Sequence, residues 1–157
     1  MKQTPEYDHI QQQMQPGVIT LEGFLGPDKR HLIDILVEDD GTVRRLERSH
    51  EQIAKKMEYF RSIGLPGLGE FITVDDTFDV RVDSVRGKLP SPFGGAGMYD
   101  KVNTTVLNKR LNKEITFTDL HIHFIRDHGF YEGKNSIYRL EPHHLIEILE
   151  IEKLEVT

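Results

Sequence analysis

The hydrophobic pattern along the chain changes period twice. From Gly17, Val18-Ile19-Thr20-Leu21-Glu22-Gly23-Phe24-Leu25 is apolar and β-branched, which predicts an N-terminal strand stopped by Gly26-Pro27. Over 29–46 two templates compete. Ile33, Ile35 and Val37 alternate as in a strand, with Asp40-Gly41 as a hairpin turn. Leu32, Ile33, Leu36, Val37, Val43 and Leu46 fall on one helical stripe. The stripe takes in more residues, and Asp28 suits an N-cap, so a helix is expected there. Ser49-His50-Glu51-Gln52 has the form of a capping box. It opens a second helix with Ile53, Met57 and Phe60 inward, stopped by Gly64 and Pro66.

After Glu70 the period drops to two. Residues 71–74 and the alternating Phe78, Val80 and Val82 form one expected hairpin around Asp75-Asp76-Thr77; 102–107 and 114–118 form another. Between them, 87–100 reads as a long loop. A helix over 119–128 ends at Gly129, and Pro142 opens a last helix carrying Leu145, Ile146, Ile148 and Leu149. Residues 151–156 extend that helix or form a strand. Residues 1–16, polar and rich in glutamine, read as a flexible N-terminal arm with at most a frayed helical turn. The expected fold is therefore α+β: one domain over 17–157, with a small antiparallel sheet (two central hairpins plus an N-terminal strand) packed against several helices.

Composition narrows the chemistry. The 157 residues contain no cysteine, which removes disulfides, thiolate metal sites and cysteine nucleophiles. The first residues show no apolar signal-peptide core, and no window has the roughly 18 apolar residues of a membrane span, so a soluble cytoplasmic protein is expected. A net charge of −6 argues against a general nucleic-acid binder. The one basic stretch, Lys101, Lys109, Arg110 and Lys113, reads as a solvated hairpin tip.

Candidate chemistry concentrates in Thr118–Gly133. Three histidines fall within eight residues, at 121, 123 and 128. At about 100° per residue, His121 and His123 diverge, and His121 and His128 stand about 10 Å apart along the axis. Only His123 and Asp127, at i and i+4, can share a metal from this helix. As a strand, the segment would instead bring His121 and His123 to one face. The helical wheel puts His121 and His128 in the apolar arc and leaves His123, Arg126 and Asp127 outside it. A histidine beside a glycine turn suits general acid–base work, which makes His123 and His128 the catalytic candidates. The loop that follows offers Arg139 as a clamp for a carboxylate or phosphate, with Tyr131, Tyr138 and Arg126 as further ligand-binding candidates. The same residues could equally pack the loop down, with Arg139 on an acidic neighbour. Gly94-Gly95-Ala96-Gly97 lacks the features of a P-loop, and its flanking prolines suggest an ordered lid. His143 and His144 are expected to be exposed.

His123-x-x-x-x-His128-Gly-Phe-Tyr-Glu-Gly with Ser136-x-Tyr138-Arg139-Leu140 resembles an uncharacterised bacterial protein family. Ile19–Gly26 and Arg86–Gly94 add to the resemblance. It implies no activity, but it directs attention to His123 and His128. The leading expectation is a binding or accessory domain with a small-anion or peptide site formed by 119–139 and 88–100. The alternative is a hydrolase- or lyase-type enzyme using His123 or His128 as general acid or base, with or without a metal. A module touching nucleic acid through 101–113 comes third. A small molecule or a protein is the expected partner, rather than nucleic acid or membrane. The cofactor is unknown from the sequence.

Overall fold

A computed structural model describes residues 2–95 and 97–155. Among the described residues, five α-helices and a four-stranded antiparallel sheet make an α+β arrangement. The helices are α1 (Pro5–Gln13), α2 (Leu32–Arg45), α3 (His50–Gly64), α4 (Asp119–His128) and α5 (Pro142–Ile148). The strands are β1 (Ile72–Val74), β2 (Phe78–Pro90), β3 (Met98–Asn108) and β4 (Lys113–Thr118), in spatial order β1-β2-β3-β4.

The N-terminal expectations need correction. Residues 5–13 form a full helix where the sequence predicts at most a frayed turn: α1 is capped by Thr4, whose hydroxyl accepts from the Tyr7 N–H. It buries Ile10, and Met14 just beyond it is fully enclosed. Residues 18–25 form turns and bends rather than a strand. Gly17, Gly23 and Gly26 take φ values of 84°, 70° and 57°, which break an extended run. Phe24 and Leu25 turn inward while Leu21 stays exposed.

The helix wins over the hairpin in α2, and Gly41 is carried in its interior. Asp28 does not cap it; the N-cap is His31, which makes no side-chain bond there. Asp28 instead pairs with Arg30 at 2.7 Å and accepts from the Lys134 N–H at 2.9 Å. Those contacts, Arg30 foremost, hold its carboxyl down at about 2. At α3 the Ser49 hydroxyl accepts from the Gln52 N–H, but the Gln52 amide turns to the Glu152 carbonyl, so only half of the expected box forms. The end of α3 lies hard against β2: a Cβ on Gly64 would come within 2.7 Å of Val80.

Asp75 and Asp76, at φ 53° and 57°, turn β1 into β2. The expected loop 87–100 is shorter than its composition suggests. Pairing continues through Lys88↔Asp100, Leu89↔Tyr99 and Pro90↔Met98, and a bulge between Val85 and Lys88 absorbs the irregularity. The ends of β2 and β3 thus form a ribbon beyond the sheet, and the connection shrinks to 91–97. Residues 151–155 are neither helix nor strand. Ile151 is buried, and its carbonyl accepts from Arg48. Val156 lies outside the described residues.

The buried side chains form two clusters. One joins α3, the sheet, α5 and the Ile122 and Ile125 side of α4. The other joins α1, α2, Phe24, Leu25, Phe130 and the Leu120 and Phe124 side of α4. Helix α4 therefore sits between them, buried at every position from Leu120 to Ile125.

Gly133 closes the second cluster from outside. It donates to the Phe24 carbonyl at 2.9 Å, and a Cβ on it would stand 2.6 Å from the Leu25 Cα. Gly133→Ala is expected to cost about 3 kcal/mol in urea unfolding. Gly97→Ala, whose added methyl meets nothing within 4 Å, should leave the midpoint unchanged.

Candidate functional site

The site is organised by the first turn of α4. Thr118 ends β4 in an extended conformation and caps the helix, its hydroxyl accepting from the His121 N–H at 3.1 Å. The Thr118 N–H donates back to His121 Nδ1, also at 3.1 Å. Histidine thus fills the place that glutamate holds in a common capping box. Because Nδ1 accepts, the network assigns the ring proton to Nε2, which donates to Glu132 Oε2 at 2.6 Å. Glu132 is itself buried, at φ 72°, and its other oxygen accepts from the Ser136 hydroxyl at 3.1 Å.

His123 has the opposite tautomer. Arg126, first among the causes, holds the Asp127 carboxyl below its ordinary range, so that group is an acceptor only. His123 Nδ1, 2.8 Å from Asp127 Oδ2, must then carry the proton, with the Tyr99 hydroxyl also at 2.9 Å. Nε2 is left with its lone pair facing the Ser91 hydroxyl at 3.0 Å. The Tyr99 ring stacks on the imidazole, centroids 4.5 Å apart. His128 is half-buried and lies flat on Phe93, 3.8 Å away and 4° from parallel. Burial lowers the pKa of both His123 and His128, and for His128 the neighbouring His123 adds to the effect.

The wheel therefore misplaces His123. It is 7% exposed, as enclosed as His121 at 5%, because both sides of α4 are packed. The segments 88–100 and 129–139 both reach α4, but they meet different histidines. Ser91, Phe93 and Tyr99 engage His123 and His128; Glu132 engages His121.

The ligand-binding candidates disperse. Tyr131 is fully buried and bonded to His50 Nδ1 at 2.8 Å, and burial pushes its phenol pKa up. Arg139 grips Asp39 through both terminal nitrogens at 2.7 and 3.0 Å and also bonds Glu141 and the Glu132 carbonyl. It has no donor fork left for an anion. Arg126 is exposed and occupied by Glu58 and Asp127. Tyr138 faces the larger cavity from an exposed position on its rim, and Arg126 borders the smaller one. The metal candidates His123 and Asp127 bond each other. Among the described residues, no three histidine or acidic side chains gather as a metal would require. Of the basic stretch, Lys109, Arg110 and Lys113 are paired with Asp79, Glu150 and Glu147. His143 and His144 are exposed.

Two hollows flank α4. A cleft of about 510 Å³ opens between residues 20–24, the β2–β3 ribbon and the first turn of α4. Leu21, Phe24, Val85, Leu89, Leu120 and Tyr138 give it an apolar lining, with Lys101, Asn103, His121 and Glu132 as polar points. A smaller, polar hollow of about 290 Å³ is bordered by Glu58, Arg61, Asp119, His123 and Arg126, and Tyr99 belongs to both walls. Ser91, Tyr99 and Glu132 were not candidates in the sequence; Ser91 lies 32 positions from its histidine, with no local spacing to mark it. Among the described residues, no helix is long and apolar enough to cross a membrane. No family model, curated protein or solved structure matches the chain.

Two outcomes follow from this geometry. Folded His123 and His128 bind protons below 6.5, whereas the unfolded chain binds them near 6.5. The unfolded state therefore takes up more protons as pH drops through 6.5, and stability falls with it. Above that value these groups add no pH dependence. Urea midpoints at pH 8, 7, 6 and 5 should be level between the first two and then decline, less steeply in His128→Gln. Separately, Arg139 and Asp39 side chains are 9% and 6% exposed. Arg139→Ala leaves a buried carboxylate unpaired and should cost about 3–5 kcal/mol in the same measurement.

Proposed function

We propose that this protein is a binding domain that holds a small molecule with an apolar body in the cleft beside the first turn of α4. The observation that carries this reading is the cleft itself: its size falls within the range of roughly 300–1,000 Å³ common for small-ligand sites, and apolar walls surround a few polar points. Parts of both expected segments line it, with Leu120, His121, Phe124, Glu132 and Tyr138 from 119–139 and Leu89, Tyr99 and Asp100 from 88–100.

The anionic ligand expected from Arg139 loses its support, since that guanidinium is consumed by Asp39 and Glu141. The cleft wall carries three carboxylates, the buried Glu132 with Glu22 and Asp100, against one lysine, Lys101. A neutral occupant suits it better than an anion. His121 serves here as a wall and not as a base, because both ring nitrogens are committed.

Two fluorescent probes of similar shape, neutral N-phenyl-1-naphthylamine and anionic 1-anilinonaphthalene-8-sulfonate, test this directly. The neutral probe should bind saturably and more tightly than the anionic one. Leu21 and Val85 are exposed at the cleft mouth, 83% and 58%, so Leu21→Glu with Val85→Glu should leave the fold intact. That pair should weaken binding by about tenfold or more, equivalent to about 1.4 kcal/mol. Equal affinity of the double variant for the neutral probe would refute the cleft as its site.

A further inference from the structure

A serine hydroxyl is a weak nucleophile until a neighbouring base takes its proton. One serine of this chain stands against such a base. Ser91 Oγ is 3.0 Å from His123 Nε2, and His123 Nδ1 is 2.8 Å from Asp127 Oδ2. The ionised Asp127 fixes the direction of both bonds: Nδ1–H donates to the carboxylate, and the Ser91 O–H donates to Nε2. The Phe93 N–H donates to Ser91 Oγ at 3.2 Å, which holds the hydroxyl in place from its other side. Hydroxyl, imidazole and carboxylate thus follow one another in the order used for nucleophilic acyl transfer, an arrangement recognised by geometry and not by sequence position. Here base and carboxylate lie at i and i+4 on α4, and the serine comes from the 91–97 connection.

We propose that Ser91 is an acyl-transfer nucleophile acting on small esters, with His123 as its general base and Asp127 as the residue that positions the imidazole. In the forward step Oγ attacks the ester carbonyl carbon while its proton passes to Nε2. The bond to the alcohol oxygen then breaks, and Nε2 returns the proton to that oxygen. Water, deprotonated by the same Nε2, attacks the acyl carbon; the bond to Ser91 Oγ breaks, Nε2 returns the proton to Oγ, and the carboxylic acid leaves. Water is the only co-reactant. His123 forms part of the hollow's wall. Ser91 itself is 7% exposed and is not among the residues that border either hollow, so labelling at its hydroxyl is the deciding measurement. The titratable and charged groups around the imidazole are Asp127, Arg126 and His128 of α4 and Tyr99 of β3, with Asp119 of α4 and Glu58 and Arg61 of α3 bordering the hollow. The inference does not depend on the ligand cleft.

The same contacts would also serve merely to latch the 91–97 connection to α4, and covalent labelling separates the two roles. The full chain is treated with methanesulfonyl fluoride and with diisopropyl fluorophosphate, then examined by intact mass and peptide mapping. A nucleophile gives one adduct per chain, on Ser91, with a rate that rises with pH as His123 loses its proton and then levels. The adduct is absent in Ser91→Ala and forms on the order of a hundredfold more slowly in His123→Gln. Asp127 is half exposed, so Asp127→Asn should fold, and it should lower both the maximal rate and the pH of the half-maximal rate. A latch alone gives no Ser91 adduct with either reagent in the wild-type chain, and that result overturns the proposal. So does a Ser91 adduct whose rate is the same in a His123→Gln variant with an unchanged circular-dichroism spectrum.

Discussion

Helix α4 is packed from two sides, and much of the molecule follows from that constraint. Ile122 and Ile125 enter the cluster built on α3 and the sheet, while Leu120 and Phe124 enter the one built on α1 and α2. A surface helix has one apolar stripe and a solvated back. This helix has no solvated back between Leu120 and Ile125, so its two histidines there must find protein partners in place of water. Each does so by recruiting a distant segment: Glu132 for His121, and Ser91 with Tyr99 for His123.

The two imidazoles, only two residues apart, are thereby given different chemistry. His121 spends Nδ1 on the helix cap and Nε2 on Glu132, so both ring nitrogens are engaged. It is a structural group lining a cleft. His123 is oriented by an ionised carboxylate and keeps a basic nitrogen against a hydroxyl. The difference comes from what sits at Nδ1: a backbone donor in one case, a carboxylate acceptor in the other. Desolvation, which lowers the pKa of His123, favours the neutral ring that a general base requires.

The ribbon formed by the ends of β2 and β3 links the two hollows. Tyr99 contributes to both walls while its hydroxyl and ring hold His123. Phe93 anchors the connection that follows by stacking on His128 and packing edge-on against Phe124 and Phe130. The connection is thus fastened at Ser91 and Phe93, while a Cβ added at Gly94 or Gly95 would meet nothing within 4 Å.

Local order was legible from sequence wherever one face of an element meets one core. The stripe of α3, the alternation in β2 and the Thr118 and Gly129 boundaries of α4 are short-range features, set by backbone geometry and by capping within three or four residues. The apolar run at 18–25 misled because left-handed glycines bend it. The polar start of the chain misled because a few residues, Ile10 and Met14, suffice to dock a short helix. The sites were not legible. Whether Arg139 meets a ligand or Asp39, whether His123 faces water or Ser91, and which loop reaches which histidine depend on contacts between residues up to 100 positions apart. Side-chain chemistry alone supplied the candidates. Tertiary packing decided their roles, because a titratable group takes its tautomer and basicity from whichever partner the fold brings within about 3 Å.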